Sequence, residues 1–404
     1  MPEPQHEHPA PPALNLFSTR DASGTAWLPD VTPMYGFHHT LRGWDVMLHG
    51  NAFLQLLDER APEHRGATQV GSTNWVMAMA RRPVGSARVG LRTMVSLEAW
   101  TIPGCGYPNL LATGEFCDGD SIHDKQHPHD LFMELAAQLD RPLSGTLRWE
   151  TYAGLAGEPA LGPPAFPHRI SALPNPLSPI AHHWLDATHI TYGVLTTGVY
   201  DVRWKAEMSL FNGREPDERR YDFDFAALDS VAGRVWFLPT DALALQVSAG
   251  RLNEAELNLA QGEAIDVSRF TASATYHRRF STGHLWATTL AWGANHELGE
   301  TTNGLVAESS VAFSRRHVWF GRAELNGKPA HDLHIHESAD VFTVGKLQAG
   351  YTRYFDVRRG LTPGLGASVS AALVPEALRP RYGGVGVGLG IFLTLRPAQH
   401  EMVQ

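Results

Sequence analysis

The sequence predicts an all-β chain closed into an antiparallel transmembrane β-barrel of about fourteen strands, with a range of 12–16, and three observations carry that prediction. First, Val202, Trp204, Ala206, Met208 and Leu210 alternate with Arg203, Lys205, Glu207 and Ser209. Successive side chains of a strand point to opposite faces, so residues 202–210 have one apolar face and one strongly charged face. Second, the pattern recurs along nearly the whole chain in runs of roughly 9–11 residues, the length a tilted strand needs to cross a bilayer. Third, short connections (200–201, 239–241, 315–316) alternate with long ones (212–223, 252–266, 326–339), as periplasmic turns alternate with extracellular loops.

In chain order, residues 1–33 are expected to be a flexible N-terminal tail and lead-in, and 34–404 a single barrel. The start, Met-Pro-Glu-Pro-Gln-His-Glu-His, has neither a basic nor an apolar leader region, so a cleaved signal peptide is expected to have preceded it. Candidate strands lie at 44–57, 68–82, 87–101, 188–200, 202–213, 225–238, 242–251, 267–280, 284–296, 304–314, 317–326, 341–355, 363–374 and 384–397. In 44–55, Val46, Leu48, Ala52 and Leu54 oppose Asp45, Met47, His49, Asn51 and Gln55. In the last strand Val385, Val387, Leu389, Ile391, Leu393 and Leu395 form one face. An even count leaves both termini periplasmic. Residues 102–187 are expected to form a cap or plug, with a helix from His129 to Leu139 (Leu131, Phe132, Leu135 and Leu139 at helical spacing). A strand at 145–155 leaves twelve or sixteen spanning strands open, and the proline-rich run Gly157–Phe166 follows.

A large soluble sandwich would share the alternation, with its apolar face as core. Aromatics near strand ends (Trp75, Trp100, Trp236, Trp292, Tyr351) favour membrane girdles instead, and the expected surroundings are outer-membrane lipid. No run of 18 apolar residues exists, which excludes helical spans. A net charge of −9 argues against a nucleic-acid partner. Cys105 and Cys117 fall in one external loop, where an oxidising compartment favours a disulfide over two free thiols.

Histidines are the main chemical signal. His38, His123, His127, His129, His182 and His183 are candidate ligands for a copper or zinc ion, imidazole being the commonest metal ligand. Asp124, Asp130 and Glu337 are candidate supporting carboxylates. Met47 and Met94 lie on the polar faces of their strands, where thioethers suit Cu(I). A second loop carries His331, His334 and His336. Against this, imidazole is an ordinary hydrogen-bonding group in wet loops, and no framework such as C-x-x-C or H-E-x-x-H sets a geometry.

Facing assigns His49, Arg88, Arg92, Glu98, Arg203, Lys205, Glu207, Arg269, Glu308, Arg322, Glu324 and Lys346 to the lumen. Mixed signs favour internal pairing over an ion-selective field. Ser72, Asn74 and His49 are the one combination suggestive of a lipid hydrolase, but polar lumen residues explain them as well. No G-x-S-x-G motif or nucleotide loop is present, and no catalytic residue is assigned.

Trp44–Leu54 (WDVMLHGNAFL), Ser72–Ala80 (STNWVMAMA), Lys125–Ala136 (KQHPHDLFMELA), Gly157–Phe166 (GEPALGPPAF) and Phe211–Glu218 (FNGREPDE) resemble a family of uncharacterised bacterial outer-membrane proteins, often encoded beside copper or other heavy-metal resistance systems. The resemblance runs over roughly 34–250. It implies an outer-membrane location and carries no established activity. Members often begin with a His- and Met-rich tail, of which this chain keeps His6 and His8. The resulting expectation is a non-enzymatic barrel for binding or passage of a small solute or metal ion. A closed-lumen envelope structural or interaction protein is the alternative, and a membrane-embedded hydrolase the third reading.

Overall fold

The computed structural model describes residues 17–399, except 64, 118–119, 259–262, 282, 336 and 339. His6, His8 and His336 thus lie outside the described residues. Sixteen antiparallel strands form the wall: β1 (Trp44–Arg60), β2 (Ala67–Val84), β3 (Ala87–Val95), β4 (Phe132–Ser144), β5 (Leu147–Gly157), β6 (Thr191–Tyr200), β7 (Trp204–Phe211) and β8 (Ser230–Thr240). The second half comprises β9 (Leu243–Asn258), β10 (Glu263–Ser281), β11 (His284–Glu297), β12 (Glu300–Ala312), β13 (His317–Pro329), β14 (Val341–Tyr354), β15 (Leu361–Leu373) and β16 (Val385–Pro397). Each strand pairs with its predecessor, and β16 pairs with β1 in register Ala52↔Leu395 to Arg60↔Val387, so the sheet closes. A short extra strand, Phe37–Leu41, pairs only with the start of β1.

The expected fourteen strands are therefore sixteen, and the additional pair is β4 and β5. Residues 129–139, expected as a helix, lie mostly in β4. Leu131, Leu135 and Leu139 are four residues apart, and a spacing of four puts side chains on one face of a strand as well as of a helix. In β4, Leu139 faces outward while Glu134, Ala136 and Asp140 are buried. Residues 102–187 are accordingly divided by a spanning hairpin, leaving two long connections, 96–131 and 158–190. No described helix is long and apolar enough to cross a membrane.

Turns at 85–86, 145–146, 201–203 and 241–242 lie at the end that holds both termini, whereas 61–66, 96–131, 158–190, 212–229 and 330–340 lie at the other. That asymmetry places the termini on the periplasmic side. The outer surface is apolar through Leu54, Leu91, Leu155, Leu195, Met208, Leu290, Leu347, Leu389 and Ile391, all exposed to the surroundings of the barrel. A closed wall leaves no unpaired backbone edge for hydrocarbon, so this is a bacterial outer-membrane barrel. Trp75 and Trp236, expected in the lipid girdle, face inward and are buried, while Trp100 and Trp292 are outside.

The interior is filled by the chain itself. Residues 17–33, expected as part of a flexible lead-in, pack inside the periplasmic mouth: Ala22, Ala26, Trp27 and Leu28 cluster with Trp236, Leu238 and Ala244. Connection 96–131 fills the external mouth, with Leu110 and Leu111 against Leu333, Val344 and Tyr382. Connection 158–190 crosses the middle. Gly293 and Gly304, opposite one another on β11 and β12, make room for Trp184. A Cβ on Gly293 would sit 2.0 Å from the Trp184 carbonyl oxygen, and one on Gly304 2.9 Å from Trp184 Cβ.

Candidate functional site: a charged lumen and its interior loop

Inward positions of the wall recur every second residue, and on this chain they carry both signs of charge. Around the lead-in segment, Arg92 meets Glu134 at 2.8 Å, Lys205 meets Glu150 at 2.6 Å, and Arg234 donates to Glu207 at 2.9 Å. The lead-in segment caps these cations: Arg92 donates to the Ala22 carbonyl at 2.7 Å, Arg234 to Thr25 Oγ1 at 3.1 Å, and Lys205 to the Thr25 carbonyl.

Connection 158–190 supplies the central layer. Arg169 bridges Asp186 of its own loop (2.7 Å) and Glu308 of β12 (2.6 Å), and Glu308 also accepts from Arg322 of β13 at 3.1 Å. The loop touches the wall on all sides. Asn51 on β1 donates to the Leu173 carbonyl at 3.0 Å, the Ala160 amide to Ser209 on β7 at 2.7 Å, and the Gly162 amide to Ser248 on β9 at 2.9 Å. The Ala181 amide donates to Glu324 on β13 at 3.0 Å, and Asn175 to Gln348 on β14 at 2.7 Å. Burial opposes ionisation of Asp186, yet Arg169 and His182 hold its carboxyl well below the usual carboxylate range. Externally, Lys346 reaches Asn109 Oδ1 at 2.7 Å and Glu59 at 3.3 Å, and Arg65 meets Asp124 at 3.0 Å.

The sequence-assigned lumen residues divide. Arg92, Lys205, Glu207, Arg269, Glu308, Arg322, Glu324 and Lys346 are buried inside the barrel. Arg88 and Arg203 instead sit at the periplasmic rim, paired with Asp140 (3.0 Å) and Asp241 (2.7 Å). Glu98 is not on a strand but starts a one-turn helix, Glu98–Thr101. His49 packs its ring 5.3 Å from Trp75 and 5.8 Å from His168. Glu59, Glu134, Glu150 and Arg234 were missed: the two glutamates on β4 and β5 went with those strands, whereas period-2 phasing would have found Glu59 and Arg234. Arg169 and Asp186 have no periodic signal at all.

The six histidines proposed as metal ligands do not share one place. His38 lies on the lead-in strand opposite Met47, and His123 is beside Asp124 at 2.8 Å with its ring 5.8 Å from His334. His127 Nδ1 is 3.0 Å from the Pro128 carbonyl. His183 faces Glu215 and Glu256 at 3.6 and 3.8 Å. His129 and His182 approach a seventh, His189, with ring centroids 5.2 and 5.1 Å apart, but Phe166 packs among all three at 5.6–5.9 Å. Their Nδ1 atoms are held by Glu98, Asp186 and the Asp186 carbonyl. Burial works against protonation of His129, but the Glu98 carboxylate holds its pKa above the ordinary value. Burial pushes His189 far down. Among the described residues, the only group of three or more His, Cys, Asp or Glu ligand atoms within 4.8 Å is Asp217, Asp222 and Asp224, on an external loop.

Cys105 and Cys117 are disulfide-bonded, with Cα atoms 5.9 Å apart. Ser72 and His49 occupy opposite faces of the wall: Ser72 lies between inward Gly71 and Thr73, whereas His49 meets the interior loop. That separation removes the geometric basis of a Ser72–His49 pair.

No protein-family model matches the chain, and no curated protein sequence matches it. Among solved structures, Salmonella typhi OmpF in complex with daunomycin is similar at TM-score 0.54 and 10% identity, covering 89% of this chain and 100% of that one. An anion-selective porin from Comamonas acidovorans gives TM-score 0.48 and 13% identity over 88% and 99%. The outer-membrane channel DcaP of Acinetobacter baumannii gives 0.47 and 10% over 90% and 100%. The OmpF likeness extends to the barrel fold and not to the heavy-metal association implied by the sequence motifs.

Proposed function

We propose that the protein is an outer-membrane channel for small solutes, non-enzymatic, whose lumen is closed in this state by its own lead-in segment and its two long connections. The observation that carries the reading is the path of residues 158–190 through the middle of the barrel, pinned by Arg169 between Asp186 and Glu308. A sixteen-stranded wall encloses more space than side chains alone fill, and barrels of this size hold an aqueous channel or a plug. Residues 158–190 are tied to the wall by many charged, amide and hydroxyl contacts, which water can replace more cheaply than it can replace a continuous apolar core.

Planar-bilayer recording tests this. The wild type should be silent or rarely open. Arg169→Ala removes the loop's one ion pair to the wall and its internal pair with Asp186, while leaving Glu308 its bonds from Arg322 and Ser171. Losing one partner of a buried pair costs about 3–5 kcal/mol, enough to detach the loop locally. Expected is a frequent, flickering conductance. A variant as silent as the wild type, with its loop shown to be loosened by proteolysis, would favour the closed structural barrel instead.

A further inference from the structure

Five of the nine methionines, Met47, Met77, Met79, Met94 and Met133, lie in one buried cluster on the inner wall of β1–β4. Methionine often fills irregular apolar gaps, and such filling needs no ligand. This cluster is different at one end. Met94 on β3 and Met133 on β4 lie beside a register shift between the two strands, and they border a small internal cavity of about 10 Å³, room for one water-sized occupant. His168, His189, Glu134, Glu158 and Ser23 bring polar groups to the other walls, between Gly24, Ala165 and Pro167.

One pair of candidate donors is already in contact. His168 Nε2 is 3.4 Å from Met94 Sδ, so a single ion beside them can reach both without a large movement of either side chain. The His168 ring is fixed by Trp75, 4.8 Å away, and by His49. His189 Nε2 and Glu158 Oε2 are buried without hydrogen-bond partners, and both residues line the cavity. Glu134 is occupied by Arg92 and by the Tyr152 hydroxyl.

We propose that Met94, Met133 and His168 form a site for one soft monovalent metal cation, Cu(I) or Ag(I), at the junction of the wall and the interior loop. Thioether sulfur with imidazole nitrogen selects soft d¹⁰ ions over zinc, calcium or magnesium. The cavity admits a bare ion and no larger solute. The site is distinct from the six histidines expected from sequence, and it stands whether or not the barrel conducts.

Silver is the first probe, because it needs no reductant and both cysteines are locked in the disulfide. Calorimetric titration of the full refolded chain should show one tight Ag(I) per protein. Met94→Leu/Met133→Leu conserves core volume and should weaken that binding at least about 100-fold, with heat-modifiable gel migration unchanged. Zinc should bind neither protein tightly. Equal silver binding by the wild type and the folded double variant would overturn the proposal, as would no stoichiometric binding by the wild type. If the double variant does not fold, X-ray absorption of the silver-loaded wild type decides. Two sulfur neighbours and nitrogen are expected, and a shell of nitrogen and oxygen alone would overturn the site.

Discussion

Asp130 shows how one buried carboxyl can set a pH response. One of its oxygens, Oδ1, has no hydrogen-bond partner, and the other is 3.6 Å from Arg220. Burial pushes the pKa up to about 6, with Arg220 opposing. Between about pH 4 and 6 the folded chain holds a proton that the unfolded chain has released. The group's contribution to stability is therefore greatest below pH 4, falls as pH rises to 6, and is constant above. Asp130→Asn keeps the shape and stays neutral. It should stabilise the protein at pH 7.5 by at most about 3 kcal/mol, with the gain shrinking to nil near pH 4. Urea unfolding at both pH values checks this, and a gain independent of pH would show that Asp130 is not the titrating group. Residues of this kind are only half legible in a sequence. Lys205 and Glu207 declare themselves by alternation. Nothing local to Asp130, Arg169 or Asp186 reveals that a distant strand or loop will bury them.

Among elements, β1–β3 and β6–β16 were legible because Leu, Val and aromatic residues alternate with polar ones over whole spans. β4 was hidden by leucines four apart and by the histidine stretch before it, and β5, legible as a strand at 145–155, lacked a recognised partner and so left the count open between twelve and sixteen. The interior course of 158–190 was hidden altogether: a proline-rich segment has no period, and its contacts are made with strands far away in sequence. Connection 96–131 adds a covalent restraint, the Cys105–Cys117 bridge, in an element with few regular hydrogen bonds. Closing a loop of that length is worth about 3 kcal/mol in the chain-entropy account. Its energy acts on the connection, since the wall is closed by strand pairing without it. Cys105→Ala/Cys117→Ala should therefore raise hydrogen exchange within 96–131 and leave exchange in the wall and gel migration unchanged. Loss of the folded barrel in that variant would mean that the external connection is needed to close the wall.

For the molecule as a whole, the decisive question is which face of the sheet meets what. A soluble protein with these strands would bury the face that carries Leu and Ile. Here that face is outermost and the charged face is enclosed, an inversion that only a lipid surrounding stabilises. The inversion makes a depth-dependent prediction on a single strand. Ile391 is the middle residue of β16 and points outward, 59% exposed, while Val385 starts the strand on the same face at its external end. Arginine in place of Ile391 must bring its charge to the bilayer midplane or distort the lipid around it, at a cost of about 2–4 kcal/mol. Arginine in place of Val385 can reach the headgroups, at a cost of about 0–1 kcal/mol. Reversible urea unfolding in phospholipid vesicles should recover that order. Equal, small effects at both positions are what a water-facing surface would give, and they would refute the membrane assignment of this face. A large loss at Ile391 alone fixes the hydrocarbon belt around the filled lumen.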